Sequence, residues 1–175
     1  MSWILDIDLD YFNLVPDPTG RLRDLLSWAG RPVDMVVEKH HHVLRRRTSR
    51  VRRGTLTPPE FILHVDEHHD MMDERRTPNI ANMMYHAMNR WPDCRVCWLA
   101  EYRIDHPGQW LEDETWRTLK PRFRMVTLRP PRWPKPDLVS VCTSPEFVHD
   151  SLLKQLTDTL AEYTKKGIRE ARRNT

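Results

Sequence analysis

The alternation of hydrophobic and polar positions along the chain predicts an α/β protein. Short apolar runs bounded by polar turns are typical of strands, and longer stretches with an apolar residue every three or four positions are typical of helices. The strand-like segments are 2–9, 35–37, 61–65, 96–100, 123–128 and 138–142. The helical segments are 21–29, 78–90 and 145–173. This order predicts one domain over residues 1–175, with a three-layer α/β fold and a mainly parallel sheet.

Composition narrows the classes of partner and compartment. The chain has 28 Lys and Arg against 25 Asp and Glu, so we expect a surface of mixed sign and no nucleic-acid partner. No apolar run approaches the roughly 18 residues of a membrane span, and aspartates from position 6 onward leave no room for a signal peptide. Three cysteines do not make a disulfide framework, which predicts a cytoplasmic protein. Because no apolar run is long enough for a membrane span, we expect no membrane partner.

The first unusual segment is an acidic strand. In 5–12, strict alternation places Asp6, Asp8 and Asp10 on one face and Ile7 and Leu9 on the other. A buried row of carboxylates stays ionised only beside a cation, so one interpretation is a metal site. The alternative is an edge strand with a solvated acidic face, and this segment alone does not decide between them.

The second segment is an apolar strand that leads into Asp66-x-His68-x-Asp70. Ligands in parallel α/β sheets bind at the carboxyl ends of strands, and a mixed Asp and His set suits manganese, iron or zinc. If extended geometry continues, Glu67 and His69 face away from the other three. The alternative is an ordinary polar loop.

A third strand, 35–37, ends in Glu38-Lys39 followed by three histidines, 40–42. One of these histidines is a candidate ligand, although such runs are also common on solvated surfaces. Together the three segments offer about six candidate ligands, a number suited to two ions roughly 3.5–4 Å apart with shared carboxylates.

These segments resemble a known superfamily of metal-dependent hydrolases. Asp66-x-His68-x-Asp70 resembles the motif of the arginase and agmatinase ureohydrolases, and Asp8-Leu9-Asp10 resembles their second motif. The strand 6–10 is similar to the metal strand of the related deacetylases, with Asp10 in place of a histidine. The combination of segments 5–15, 36–44 and 61–71 resembles the small atypical arginase-like family that includes peptide arginases.

The resemblance implies a reduced arginase/deacetylase-like fold that binds two manganese ions. The implied metal ligands are Asp8, Asp10, His40, Asp66, His68 and Asp70. Asp6 would lie behind them, Asp70 would orient the attacking hydroxide, and Glu146 would pair with the substrate guanidinium. The proton donor to the leaving amine would be one of His41, His42, His69 and His106, with His41 taken as the candidate.

The activity implied by the family is conversion of arginine side chains in a ribosomal precursor peptide to ornithine, with release of urea. Two departures stand out, because the Asp-x-Asp strand comes first here and 175 residues are few for an arginase. Fewer loops would leave an open site, which favours a peptide-borne arginine over the free amino acid. The alternatives are a small guanidino or acyl-amine substrate, or a non-catalytic, metal-stabilised peptide-binding module.

Other polar features are given structural roles. The arginines at 45–47, 50, 52 and 53 are expected to form a solvated loop, with a dock for an acidic leader segment as the functional alternative and a nucleic-acid contact as a weaker third one. Cys94 and Cys97 are expected to pack on opposite faces of a strand rather than to bind a metal. A symmetric homodimer is expected on general frequency.

Overall fold

A single parallel sheet forms the centre of the fold in this computed structural model, which describes residues 2–102, 105–129 and 132–164. The strands are β1 (Trp3–Asp8), β2 (Met35–Val37), β3 (Phe61–Val65), β4 (Arg95–Leu99), β5 (Phe123–Val126) and β6 (Leu138–Cys142). Their order is β2-β6-β1-β3-β4-β5, and every pairing is parallel. The predicted parallel α/β sheet is confirmed, with β1 in its middle.

Helices cover both faces of the sheet. They are α1 (Pro18–Ala29), α2 (His41–Arg52), α3 (Met83–Arg90), α4 (Asp113–Leu119) and α5 (Asp150–Glu162). The apolar faces of α1 and α5 pack with Leu5 and Ile7 of β1 in one core. Those of α2 and α3 pack with Ile4 and Ile62 in the other. Alternate side chains of β1 therefore enter two different cores, as the strand period requires, and the fold has three layers.

Local capping explains where two helices differ from their predicted bounds. Helix α1 begins before residue 21 because the Asp17 carboxylate accepts from the Gly20 amide at 3.0 Å and Pro18 suits a first turn. Helix α5 begins only at Asp150, where the His149 side chain caps it. Of the predicted helical stretch 145–173, the part after 164 lies outside the described residues.

Helix α3 begins later than the predicted start at residue 78. The preceding turn is held by Asn82, whose amide oxygen accepts from the Asn79 backbone at 2.7 Å and whose amide nitrogen donates to Asp73 at 2.6 Å. These side-chain bonds satisfy backbone and amide groups without helical geometry. Helix α4 was not predicted at all, because seven residues give too short a repeat to recognise.

The arginine-rich stretch is not a solvated loop, and that expectation is wrong. Residues 41–52 form α2, which buries Val43 and Leu44 along one face. Arginine has good helix propensity, so the charge run does not oppose a helix. Arg47 is fully buried on the same face and forms an ion pair with Asp6 on β1. This pair joins α2 to the sheet.

The cysteines occupy core positions, as predicted for Cys94 and Cys97. The two lie in different hydrophobic cores, and burial raises the pKa of Cys94 to about 12 and that of Cys97 to about 11. Thiols with such pKa values are protonated and inert near neutral pH. Among the described residues, no helix has the length and apolar character needed to cross a bilayer.

Replacing Arg47 with Ala is expected to lower the free energy of unfolding by about 3–5 kcal/mol, because it leaves the buried Asp6 carboxylate without its cation. Arg45→Ala, on the exposed side of the same helix, is the control and should change it by less than about 0.5 kcal/mol. Urea denaturation of both variants measures the difference. Equal losses in the two variants would contradict a buried ion pair.

Candidate metal centre

The sheet brings three strand ends together at one edge. Because all strands are parallel, the segments after β1, β2 and β3 leave from the same edge of the sheet. Ile7 of β1 pairs with Val65 of β3, so the next residues, Asp8 and Asp66, meet side by side. The register thus brings the three predicted segments together.

His40 lies among three carboxylates. Its Nδ1 atom is 3.2 Å from an Asp8 oxygen, 3.0 Å from an Asp66 oxygen and 3.1 Å from an Asp70 oxygen. Within the part of the chain that the structure describes, neither this Nδ1 nor the Asp70 Oδ2 has a hydrogen-bond partner, although both are buried. Adjacent ligands of an octahedral cation with bonds of about 2.1 Å lie about 3.0 Å apart. The donor atoms of Asp8, His40 and Asp66, which all lie within 4.8 Å of one another, therefore fit a shared cation, and Asp70 Oδ2 lies next to His40 Nδ1.

A second group of donors overlaps the first. Asp10, Asp66 and His68 bring one donor atom each within 4.8 Å of one another. His68 Nδ1 lies 3.5 Å from Asp10 Oδ2 and 3.8 Å from Asp66 Oδ1. The Asp66 Oδ2 atom faces His40, so this carboxylate presents one oxygen to each group. Five of the six predicted ligands thus lie in two donor groups that share Asp66, and the sixth, Asp70, forms a third group with Asp66 and His64.

A buried polar layer supports His40 from below. The Asp6 carboxylate accepts from Arg47 and, at 2.7 Å, from the Ser140 hydroxyl; it also lies 2.9 Å from His40 Nε2 and 3.2 Å from His64 Nδ1. Burial opposes ionisation of Asp6, but Arg47 and His40 together hold its pKa well below the usual range. When the ionised Asp6 accepts a hydrogen bond from His40 Nε2–H, the proton of the neutral ring is on Nε2. The lone pair of Nδ1 is then directed at the three carboxylates.

Several members of this layer are not recognisable as site residues from the sequence. His64 interrupts an apolar strand, and that interruption is the one signal the sequence offers. Arg47 and Ser140 carry no such signal, because their roles depend on the register of distant elements. Ser144 is a further unpredicted contact, since its hydroxyl donates to Asp8 Oδ2 at 2.7 Å.

The site has an excess of buried negative charge. Burial and the neighbouring Asp10 and Asp70 raise the pKa of Asp66 well above its usual value. Burial, with repulsion from Asp8, also raises the pKa of Asp10. Burial would lower the pKa of His40, but Asp6 and Asp70 raise it well above the ordinary value. Side chains whose pKa values are raised in this way keep their protons until a metal cation replaces those protons, which is the behaviour of a divalent metal site.

The segment 66–70 is a turn and does not continue the strand. Asp70 adopts a left-handed backbone conformation, with φ of 52°, and its carbonyl accepts from the Met84 and Tyr85 amides at the start of α3. These bonds fix the backbone that carries the Asp70 carboxylate. His69 turns away into the core, where its ring meets Trp98 edge to face and burial lowers its pKa to about 4.

A cavity of about 230 Å³ opens above the candidate ligands. Its lining includes both apolar and charged side chains. The residues outside the ligand set that line it are Glu38, Lys39, Met72, Ile80, Ala81, Ser144, Pro145, Glu146 and Phe147. Glu146 therefore faces the predicted site, where its carboxylate lies 3.2 Å from Lys39 Nζ. Both side chains are at least half exposed, so this ion pair sits at the cavity mouth.

The structure does not bring the candidate proton donors to this cavity. His41 lines a separate cavity beside α2, and its ring packs against His42. His106 caps the short 3₁₀ helix Pro107–Gln109, and His69 is buried beneath the turn. Within the described parts of the chain, none of these four histidines lines the cavity above the ligands.

Comparisons with known proteins identify no relative, since no family model, curated protein or solved structure matches the chain. Its class is therefore defined by fold and site: a three-layer α/β protein whose buried aspartates and histidines could hold a metal ion.

Mn²⁺ is expected to raise the melting temperature of the protein, and Asp66→Asn is expected to abolish that rise. In EDTA the same variant should have a melting temperature a few degrees above that of the unsubstituted protein. At a pH above the raised pKa of Asp66 its carboxylate is charged and lowers the stability of the unsubstituted protein, and the asparagine removes that charge. Thermal unfolding with and without Mn²⁺ measures both effects.

Asp93→Asn, in an exposed turn, is the matched control and should behave as the unsubstituted protein does. A full Mn²⁺-dependent rise in Asp66→Asn would argue against a site that depends on the shared carboxylate.

Proposed function

We propose that the protein is a manganese-dependent hydrolase that converts arginine side chains of a ribosomal precursor peptide to ornithine and releases urea. The observation that carries the proposal is the pair of overlapping donor groups that share Asp66. Hydrolases with two ions use such a shared carboxylate to hold the ions a few ångströms apart. The resemblance of the three ligand segments to the arginase-like family supports the choice of reaction.

The chemistry of the donors favours manganese over calcium and over structural zinc. Four aspartates and two histidines are too rich in nitrogen for calcium, and structural zinc sites favour cysteine and four-coordinate geometry. The separations around His40 suit six-coordination. We assign His40, Asp8, Asp66 and Asp70 to one ion and His68, Asp10 and the shared Asp66 to the other.

When bound, the two ions would supply the Lewis acidity that makes water nucleophilic near neutral pH. As a ligand of one ion through Oδ2, Asp70 would lie beside the attacking water, and its second carboxylate oxygen would accept from that water and orient it toward the guanidinium carbon. A C–O bond to that carbon forms and its bond to the side-chain nitrogen breaks. The products are urea and the ornithine amine.

Glu146 is positioned to bind the guanidinium of the substrate. It lines the cavity and, among the described residues, forms an ion pair with the exposed Lys39, which a planar guanidinium can replace with a bidentate contact. Departure of the amine also requires a proton. The titratable side chains that line the cavity outside the ligand set are Glu38, Lys39 and Glu146; because Glu146 is assigned to the guanidinium, we place this role on Glu38 or Lys39 rather than on His41.

The size of the cavity supports a peptide-borne arginine. About 230 Å³ is below the roughly 300–1,000 Å³ of typical small-molecule sites, and it suits one extended side chain. Ile80 and Phe147 are 41% and 50% exposed at its rim. Exposed apolar side chains at a rim favour contact with residues on either side of the arginine.

Incubation of arginine-containing peptides with the Mn²⁺-loaded protein should lower peptide mass by about 42 Da for each arginine hydrolysed. Mass spectrometry measures the product, and Asp66→Asn and His40→Ala should form none. Asp93→Asn should retain full activity. Faster release of urea from free arginine, or of acetate from acetyl-lysine, would favour a small substrate. Unchanged peptide mass after long incubation would favour a non-catalytic binding module.

Substitutions at the cavity mouth should separate the roles of Glu146 and Lys39. Glu146→Gln is expected to raise KM for an arginine peptide by about tenfold, because a charge-assisted bidentate contact is lost. Lys39→Met, which removes the competing cation, should instead lower KM. Steady-state kinetics of both variants, with Mn²⁺-dependent melting as a check on the metal site, test this pair. A shift of KM in the same direction for both would contradict the competition.

A further inference from the structure

A second cavity follows one face of α2, beside the candidate metal centre. Its volume is about 470 Å³. We call it the basic groove, and its lining residues from α2 are His41, Leu44, Arg45, Thr48, Ser49 and Arg52. Their spacing of three and four residues places them on one helical face. Pro78 and Arg90 form the opposite side.

The charged side chains that line the basic groove are all positive. Arg45, Arg52 and Arg90 are exposed, and no aspartate or glutamate is among the lining residues. Across the described ranges, none of these three arginines forms an ion pair, and Arg90 has only a hydrogen bond to the Thr48 hydroxyl at 3.0 Å. The guanidinium groups thus remain available to an anionic ligand.

Three other arginines of α2 bond to groups within the protein. Arg47 is buried against Asp6, Arg46 donates to the Val36 carbonyl at 2.9 Å, and Arg50 contacts the Asp34 carbonyl at 3.5 Å. The helix therefore uses one part of its positive charge to attach to the sheet. The part that lines the groove has no such role.

The basic groove and the metal centre are lined by neighbouring residues of the chain. His41, at one end, directly follows the candidate ligand His40, and Pro78 is two residues from Ile80 in the cavity above the ligands. Helix α2 has 12 residues and is about 18 Å long. An extended peptide covers that distance with about five residues.

We propose that the basic groove binds an acidic segment of the substrate peptide, about five residues long and directly adjacent to the arginine that enters the metal cavity. The inference rests on the proposed function for the position of that arginine. A peptide is favoured over a nucleic acid because the groove offers no tryptophan, tyrosine or phenylalanine on which bases could stack.

The test uses fluorescein-labelled peptides that contain one arginine beside about five glutamates, placed before or after it, and matched peptides with glutamines. Binding to the full chain is measured in EDTA by fluorescence anisotropy, so that no turnover is needed. For the better-bound glutamate peptide, Arg45→Gln/Arg52→Gln should weaken binding by about tenfold, an effect that salt should diminish. With Mn²⁺ present, KM should rise while kcat stays unchanged.

Arg95→Gln/Arg117→Gln is the matched control, because it removes two exposed arginines that do not line the groove. It should leave binding unchanged. Equal affinity for glutamate and glutamine peptides, or equal losses in the two double variants, would overturn the proposal. Stronger binding of a single-stranded oligonucleotide of the same charge would overturn it in favour of a nucleic acid. If acidic peptides need Arg45 and Arg52 but are never hydrolysed, the groove stands and the proposed hydrolase fails.

Discussion

The ion pair between Asp6 and Arg47 is the interaction on which the candidate centre depends. Both side chains are fully buried, so each needs the other to remain charged. The ionised Asp6 then fixes the ring of His40 and leaves its Nδ1 facing three carboxylates. The same pair attaches α2 to β1, so the attachment of a helix and the orientation of a candidate ligand come from one contact.

The parallel sheet supplies the second constraint. From β1 the chain crosses to β2 through α1 on one face, whereas from β3 it crosses to β4 through α3 on the other. Neighbouring strands whose connections leave on opposite faces open a crevice at their carboxyl ends. Asp8 and Asp66 stand at this crevice, and the turn held by the amides of α3 adds Asp70. Backbone geometry therefore forces together carboxylates whose mutual repulsion a cation would relieve.

In the proposed function, the surroundings of the cluster would set the path of an elongated substrate. The small cavity above the ligands is lined by apolar and charged side chains, with Lys39 and Glu146 at its mouth. The basic groove leads away from it along α2. The two cavities differ in chemistry but begin at adjacent residues, His40 and His41. A chain with an arginine beside acidic residues would match both at once, whereas free arginine would use only the first.

The amino-acid sequence alone determined the strands and the ligand-bearing segments. The bounds of β2, β3 and β6 are those predicted, because apolar runs between polar turns are a local property of the chain. The convergence of Asp8, His40 and Asp66 also follows from their places at the ends of parallel strands. The proton donors could not be placed in this way, since ring orientation depends on neighbours distant in sequence.

Only the tertiary structure decided which charges are buried. Arg47 looks like its neighbours in an arginine run, and its burial follows from the position of α2 above Asp6. His64 meets Asp6 through the register of β1 with β3, and Ser140 meets it through the pairing of β1 with β6. Burial of a charge is favourable only where a partner from another element compensates it. That compensation belongs to the packed fold, and no local pattern along the chain encodes it.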